Sequence, residues 1–141
     1  MANQESLDET YMAMAEKLSE LSYAQRAKVG ALLVKDTHII AEGYNGTPAG
    51  FDNTCEYYDY VDHMHTKPEV LHAESNAIAK IAKSTNSSLG ATLYTTLAPC
   101  LECSKLIIQA GIVRVVYNKP YHSSGIALLE KAGIRVDCTA K

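Results

Sequence analysis

Two short stretches of this 141-residue chain carry residues that could do chemistry together. The first is His72-Ala73-Glu74, at the head of an apolar, helix-like run. The second is Pro99-Cys100-Leu101-Glu102-Cys103, which follows a strand-like run and opens another helix. Cys100 and Cys103 are three apart, so on a helix both thiols share a face and can reach one ion. Helix N-termini also favour the thiolate, the form that binds metal. If the two helix starts meet at one edge of a sheet, His72, Cys100 and Cys103 supply three ligands for a zinc. Three protein ligands with an open fourth place is the catalytic zinc pattern, whereas a closed structural site takes a fourth ligand. Zinc lowers the pKa of a water in that place towards about 7. Glu74, two residues from the histidine, is then positioned to take the water's proton and return it to a leaving group.

Either half alone says little. Surface helices carry H-x-E by chance, and C-x-x-C also suits a thioredoxin-like redox pair or a structural zinc. Both of those readings leave His72 and Glu74 idle. The joint order, H-x-E followed by P-C-x-x-C, matches the signature of the zinc nucleobase deaminases. That match implies hydrolytic attack at C4 of a cytosine-type ring or C6 of an adenine, with loss of ammonia.

The elements that must position these residues follow from periodicity. Leu7, Tyr11, Met14, Leu18 and Leu21 repeat at helical spacing, with acids early, and predict a helix over residues 5–21. Residues 29–36 and 38–45 read as two strands of a hairpin, and "NGTPAG" as a loop. Residues 51–69 show no clean period and read as a long loop with some helical turn. Beyond them helices at 72–84, 100–111 and 124–132 alternate with strands at 91–97, 113–118 and 134–138. Alternation of this kind implies right-handed crossovers and a parallel portion of sheet, and the early hairpin makes the sheet mixed. The expected fold is α/β, a three-layer α/β/α sandwich of about five strands, in one domain over residues 1–141.

Composition removes several classes. A net charge of −3 supplies no basic face for long nucleic acid, though one or two arginines suffice for a single phosphate. The acidic N-terminal run lacks an apolar signal core, and no stretch approaches the roughly 20 apolar residues of a membrane span. A cytoplasmic protein is expected, or one of the host-cell cytoplasm if the source is viral. In such a compartment Cys55, Cys100, Cys103 and Cys138 are not expected as structural disulfides.

Five stretches together resemble the deoxycytidylate (dCMP) deaminase family. They are "SYAQRAKVGALLVKD", "GYNGTPAG", "LHAESNAI", "TTLAPCLECSKLIIQAGI" and "AGIVRVVYNKPYHSSGIALLEKAGI". The likeness covers nearly all the chain from Ser22 onward. Free-nucleoside cytidine deaminases typically have cysteine at the place of His72. Histidine there resembles the deoxycytidylate, tRNA-adenosine, guanine and riboflavin-pathway branches. The resemblance implies a cytidine deaminase-like fold and zinc-dependent hydrolysis of dCMP to dUMP and ammonia, supplying thymidylate synthesis. It implies substrate contacts from Arg26 and Ser22 to the 5′-phosphate, with Tyr121 nearby. Asn45 is implied for the sugar and base side, and the Ala73 backbone N–H for the pyrimidine carbonyl. Carbonyls of residues 96–98 are implied for the exocyclic amine.

Family members are often hexamers, activated by dCTP and inhibited by dTTP. The loop resembling their effector segment offers Gly46, Thr47, Gly50 and Asp52 for a triphosphate with Mg2+. Relatives can carry a second, structural zinc, with a cysteine two residues after the first serine. Here that place is Ala24, and Cys55, His63 and His65 alone form an incomplete set, so one zinc per chain is expected. Two competing readings keep part of the pattern. A tRNA or nucleic-acid base deaminase keeps the zinc chemistry but needs a basic channel. A non-catalytic, zinc-stabilised nucleotide sensor keeps the loop but gives Glu74 no task.

Overall fold

Alternating apolar residues build a five-stranded sheet in the computed structural model, which describes residues 2–140. The chain runs α1 (Gln4–Ser19), β1 (Gly30–Lys35), β2 (His38–Tyr44), β3 (Glu56–Tyr58), β4 (Met64–Thr66), α2 (Ala73–Ala82), β5 (Thr92–Leu97), α3 (Leu101–Gln109), β6 (Arg114–Lys119), α4 (Gly125–Lys131) and β7 (Arg135–Cys138). The sheet order is β2-β1-β5-β6-β7. β1 pairs antiparallel with both β2 and β5, whereas β5, β6 and β7 are parallel. The expected mixed α/β sheet of five strands is therefore the observed one.

Strand alternation sorts the side chains into two apolar layers. Leu32, Val34, Tyr94 and Val116 face α1, which answers with Tyr11, Met12 and Ala15. Leu33, Leu93 and Val115 face the opposite way, onto Ala77 of α2, Ile107 of α3 and Leu129 of α4. α3 and α4 share a face because β5-α3-β6-α4-β7 winds in one direction, and α2 packs into the same apolar layer. Gly111 and Gly133, at φ +77° and +85°, turn the chain just after α3 and α4, where the sequence places its helix stops.

The long segment before α2 differs from expectation. Residues 51–69 contain a two-stranded antiparallel ribbon, with Glu56 opposite Thr66, Tyr57 opposite His65 and Tyr58 opposite Met64. No helical turn forms there. Three-residue strands are too short for a period of two to stand out. Their turn is also made by a side chain: Asp59 Oδ1 accepts from the N–H groups of Val61 and His63, while Asp62 adopts φ +61°.

Two glycines let the elements approach closely enough to build a site. A Cβ on Gly43 of β2 would lie 2.5 Å from the Ala73 carbonyl oxygen and 2.8 Å from the Ala77 nitrogen. α2 therefore rests its first turn directly on β2. A Cβ on Gly125 would collide with the Pro99 carbonyl oxygen, so the start of α4 nests against the start of α3.

Candidate active site

His72 and Cys100 are the N-cap residues of α2 and α3. The two helix starts meet, which is the condition on which the three-ligand set depends. His72 Nδ1 lies 3.4 Å from Cys100 Sγ and 3.4 Å from Cys103 Sγ. A tetrahedral zinc with Zn–S near 2.3 Å and Zn–N near 2.0–2.1 Å requires N–S separations of about 3.6 Å. The donor set thus fits zinc in both type and spacing. Cys100 Sγ also accepts the Cys103 N–H at 3.4 Å, which fixes the sulfur at the head of α3. Burial, with Glu74 beside it, pushes the Cys103 thiol upward, so its ionised form needs a cation in the site. Among the described residues this is the one cluster of three metal-type ligands.

Glu74 lies in the first turn of α2 and is only 4% exposed. Burial pushes its carboxyl up to about 7, against smaller lowering contributions from its own backbone, Cys103 and Thr95. A carboxyl poised near neutrality can both accept and release a proton.

His72, Glu74 and Cys100 line a cleft of about 360 Å³, within the range of small-molecule sites. Arg26, Asn45, Ala73 and Tyr121 line the same cleft, together with Leu97 and Ala98. Four of the five expected substrate residues are therefore brought to it. Ser22 is not. It is buried beneath the loop, where its hydroxyl donates to the Asn45 carbonyl at 2.7 Å and accepts the Ala24 N–H at 3.1 Å. Asn45 itself latches the 22–29 segment to β2: Oδ1 accepts from Val29 N–H at 2.8 Å and Nδ2 donates to the Ala27 carbonyl at 2.7 Å.

The expected effector residues divide. Gly46 and Thr47 line a second cleft of about 390 Å³, which also holds Lys80 and Lys83. Gly50 and Asp52 do not line it. Gly50 sits at a turn with φ +91°, and Asp52 Oδ1 accepts the Thr54 N–H at 2.9 Å and faces Lys67 at 3.7 Å. Gly46 is also less free than its loop suggests, because its N–H and carbonyl both pair with Leu71. Elsewhere, Cys55 is buried, and His65 stacks on Tyr57 and places Nε2 2.7 Å from Asp59 Oδ2.

Sequence reasoning overlooks two residues that line the first cleft, Glu56 and Thr66. Both lie in the ribbon read as loop. Their partner, Arg26, is 30 and 40 residues away along the chain, so no local pattern could reveal the contact.

Comparison with known proteins agrees with this geometry. Residues 5–119 match the family described as the cytidine and deoxycytidylate deaminase zinc-binding region. The deoxycytidylate deaminase of Mycobacterium phage D29 is 39% identical over 123 residues, 79% of this chain and 94% of that one. ComE operon protein 2 of Bacillus subtilis is 39% identical over 138 residues, 94% of this chain and 70% of that one. The dCMP deaminase of cyanophage S-TIM5, solved in complex with dCMP and dUMP, superposes with a TM-score of 0.91 at 43% identity, covering 98% of this chain and all of that one (100%).

Proposed function

The chain belongs to the cytidine and deoxycytidylate deaminase family as a zinc-dependent deaminase, and on that premise we propose that it hydrolyses dCMP to dUMP and ammonia. One observation carries the substrate reading: the cleft that contains His72, Cys100 and the buried Glu74 also contains Arg26, a fixed cation suited to a phosphate.

His72, Cys100 and Cys103 would hold the zinc, which would supply Lewis acidity and make water a usable nucleophile near neutral pH. Glu74 takes a proton from the water that attacks C4 and delivers it to the departing amine as the C4–N bond breaks. Its burial keeps competing water away from that transfer. The Ala73 N–H, at the start of α2, donates to the pyrimidine carbonyl. The backbone carbonyls at the end of β5 accept from the amine and so distinguish cytosine from uracil. Arg26 binds the 5′-phosphate with Tyr121 beside it. Asn45 has one amide hydrogen beyond its Ala27 bond, which serves the sugar side. Ser22 acts on the phosphate indirectly, by holding the Asn45 strand end.

The finer reading places this reaction in the cytoplasm as a source of dUMP for thymidylate synthesis, performed by one domain spanning residues 1–141. Regulation by dCTP with Mg2+ and by dTTP is assigned to the second cleft, where Lys80 and Lys83 give positive charge beside Gly46 and Thr47. Gly50 and Asp52 shape that loop, and the assembly is a homohexamer. A net charge of −3 favours a mononucleotide over a nucleic-acid strand.

The test is ammonia release from dCMP by zinc-loaded protein, with dCTP and Mg2+ present. Wild type should turn over, and Glu74→Ala should lose at least about 100-fold in rate while keeping its zinc. No release by zinc-replete wild type would reject dCMP as the substrate.

A further inference from the structure

We propose that the cross-strand pair Glu56 and Thr66 is a positioning device for Arg26, and that it thereby sets the enzyme's preference for a nucleotide over a nucleoside. The inference rests on the reading of Arg26 as the phosphate ligand.

Arg26 lies between α1 and β1, outside any helix or strand, and its side chain is exposed. A long side chain there would sample many rotamers, and fixing them on binding costs affinity. Two contacts limit that freedom. Glu56 is only 6% exposed, and its Oε2 accepts from the backbone N–H groups of Gln25 at 2.9 Å and Arg26 at 3.2 Å. A buried carboxylate is expensive unless donors compensate it, so the two N–H groups and Glu56 hold each other in place. Thr66 Oγ1 accepts from Arg26 Nη1 at 3.2 Å. The backbone and the tip of one arginine are thus held separately.

Both holding groups come from one rigid object. Glu56 and Thr66 are directly opposite in the β3–β4 ribbon, and opposite residues of an antiparallel pair share a face. That face lines the cleft beside His72 and Glu74. The far end of the ribbon is fastened by Asp59, which accepts from two backbone N–H groups and faces His65 Nε2. The ribbon is therefore braced at its turn and presents its first and last residues to Arg26. A guanidinium held this way meets the phosphate with less ordering to be done, which strengthens binding without touching the reacting atoms.

The test compares dCMP with deoxycytidine, which lacks the phosphate. Thr66→Val removes the acceptor at nearly constant volume, and Glu56→Gln weakens the backbone anchor. Each should lower the ratio of kcat/KM for dCMP over that for deoxycytidine by about tenfold, with KM rising more than kcat falls. Thr66→Ser, which restores the hydroxyl, should recover most of the ratio. Thr66→Val added to Arg26→Ala should change the ratio no further. Equal losses on both substrates would show a merely structural role and overturn the proposal. So would an undiminished Thr66→Val effect in the Arg26→Ala background. If Arg26→Ala alone leaves the ratio intact, the phosphate role of Arg26 fails, and this inference fails with it. If Arg26→Ala collapses the ratio while the ribbon variants do not, only the positioning role is lost.

Discussion

Asn45 uses both ends of its amide before any ligand arrives, accepting from Val29 and donating to Ala27. Removing it should therefore affect stability and substrate binding together. Asn45→Ala breaks two hydrogen bonds, each worth about 1 kcal/mol, so urea unfolding should show a loss of about 2 kcal/mol alongside a raised KM for dCMP. Asn45→Asp keeps the acceptor and loses the donor, and should fall between the two. Such a residue can be found in the sequence, but only half of its work can be read there. "YNG" marks a loop, and the family resemblance implies a ligand contact there, while the bonds to residues 27 and 29 depend on how the chain returns. Ser22 illustrates the same limit. Its hydroxyl is directed to a carbonyl 23 residues away, a partner that no local pattern names.

The two helix starts that carry His72 and Cys100 are held by contacts too close for a side chain. Gly43→Ala should push α2 off β2, because its Cβ meets backbone that cannot rotate aside. Overpacking of this kind costs about 1–3 kcal/mol. Since the displaced turn holds Ala73 and Glu74, the fall in kcat should exceed what the lost stability explains, as measured with the zinc content held equal. The helices themselves were legible: each shows helical apolar spacing, and α3 and α4 end at glycines that take positive φ. β1, β2 and β5 to β7 were legible as apolar runs between turn residues. The β3–β4 ribbon was not, because its strands are three residues long and its turn is stabilised by Asp59 rather than by a glycine pair. Glu56 and Thr66 were hidden with it.

At the scale of the whole molecule, α1 is tied to the sheet by charge as well as by apolar contact. Arg114 on β6 makes two bonds of 2.8 Å to Asp8 and one of 2.9 Å to Asp137, and Tyr94 donates to Asp8 at 2.6 Å. Burial raises Asp8, but the hydrogen bonds from Arg114, Tyr94 and Gln4 outweigh it and hold the carboxyl down at about 2. A folded value below the unfolded 3.8 means the stabilisation is complete above about pH 4 and is lost as pH falls towards 2. Asp8→Asn should lower the melting temperature at pH 7 and flatten its decline between pH 4 and 2. Removing the other partner, as in Arg114→Met, leaves the Asp8 carboxylate without its cation while Asp137 keeps Arg135 at 2.9 Å, and should cost about 3 kcal/mol. The pairing of His72 with Cys100 and Cys103 has a mechanical consequence of its own. An ion gripped by ligands 28 and 31 residues apart is a staple across α2, β5 and the start of α3. The unfolded chain offers no such preformed grip, so part of the binding free energy becomes folding free energy. Chelation should then lower the melting temperature and speed amide exchange in that span, and restored zinc should reverse both. The atom that serves the reaction is also a rivet, and a cell short of zinc would lose the protein itself along with its activity.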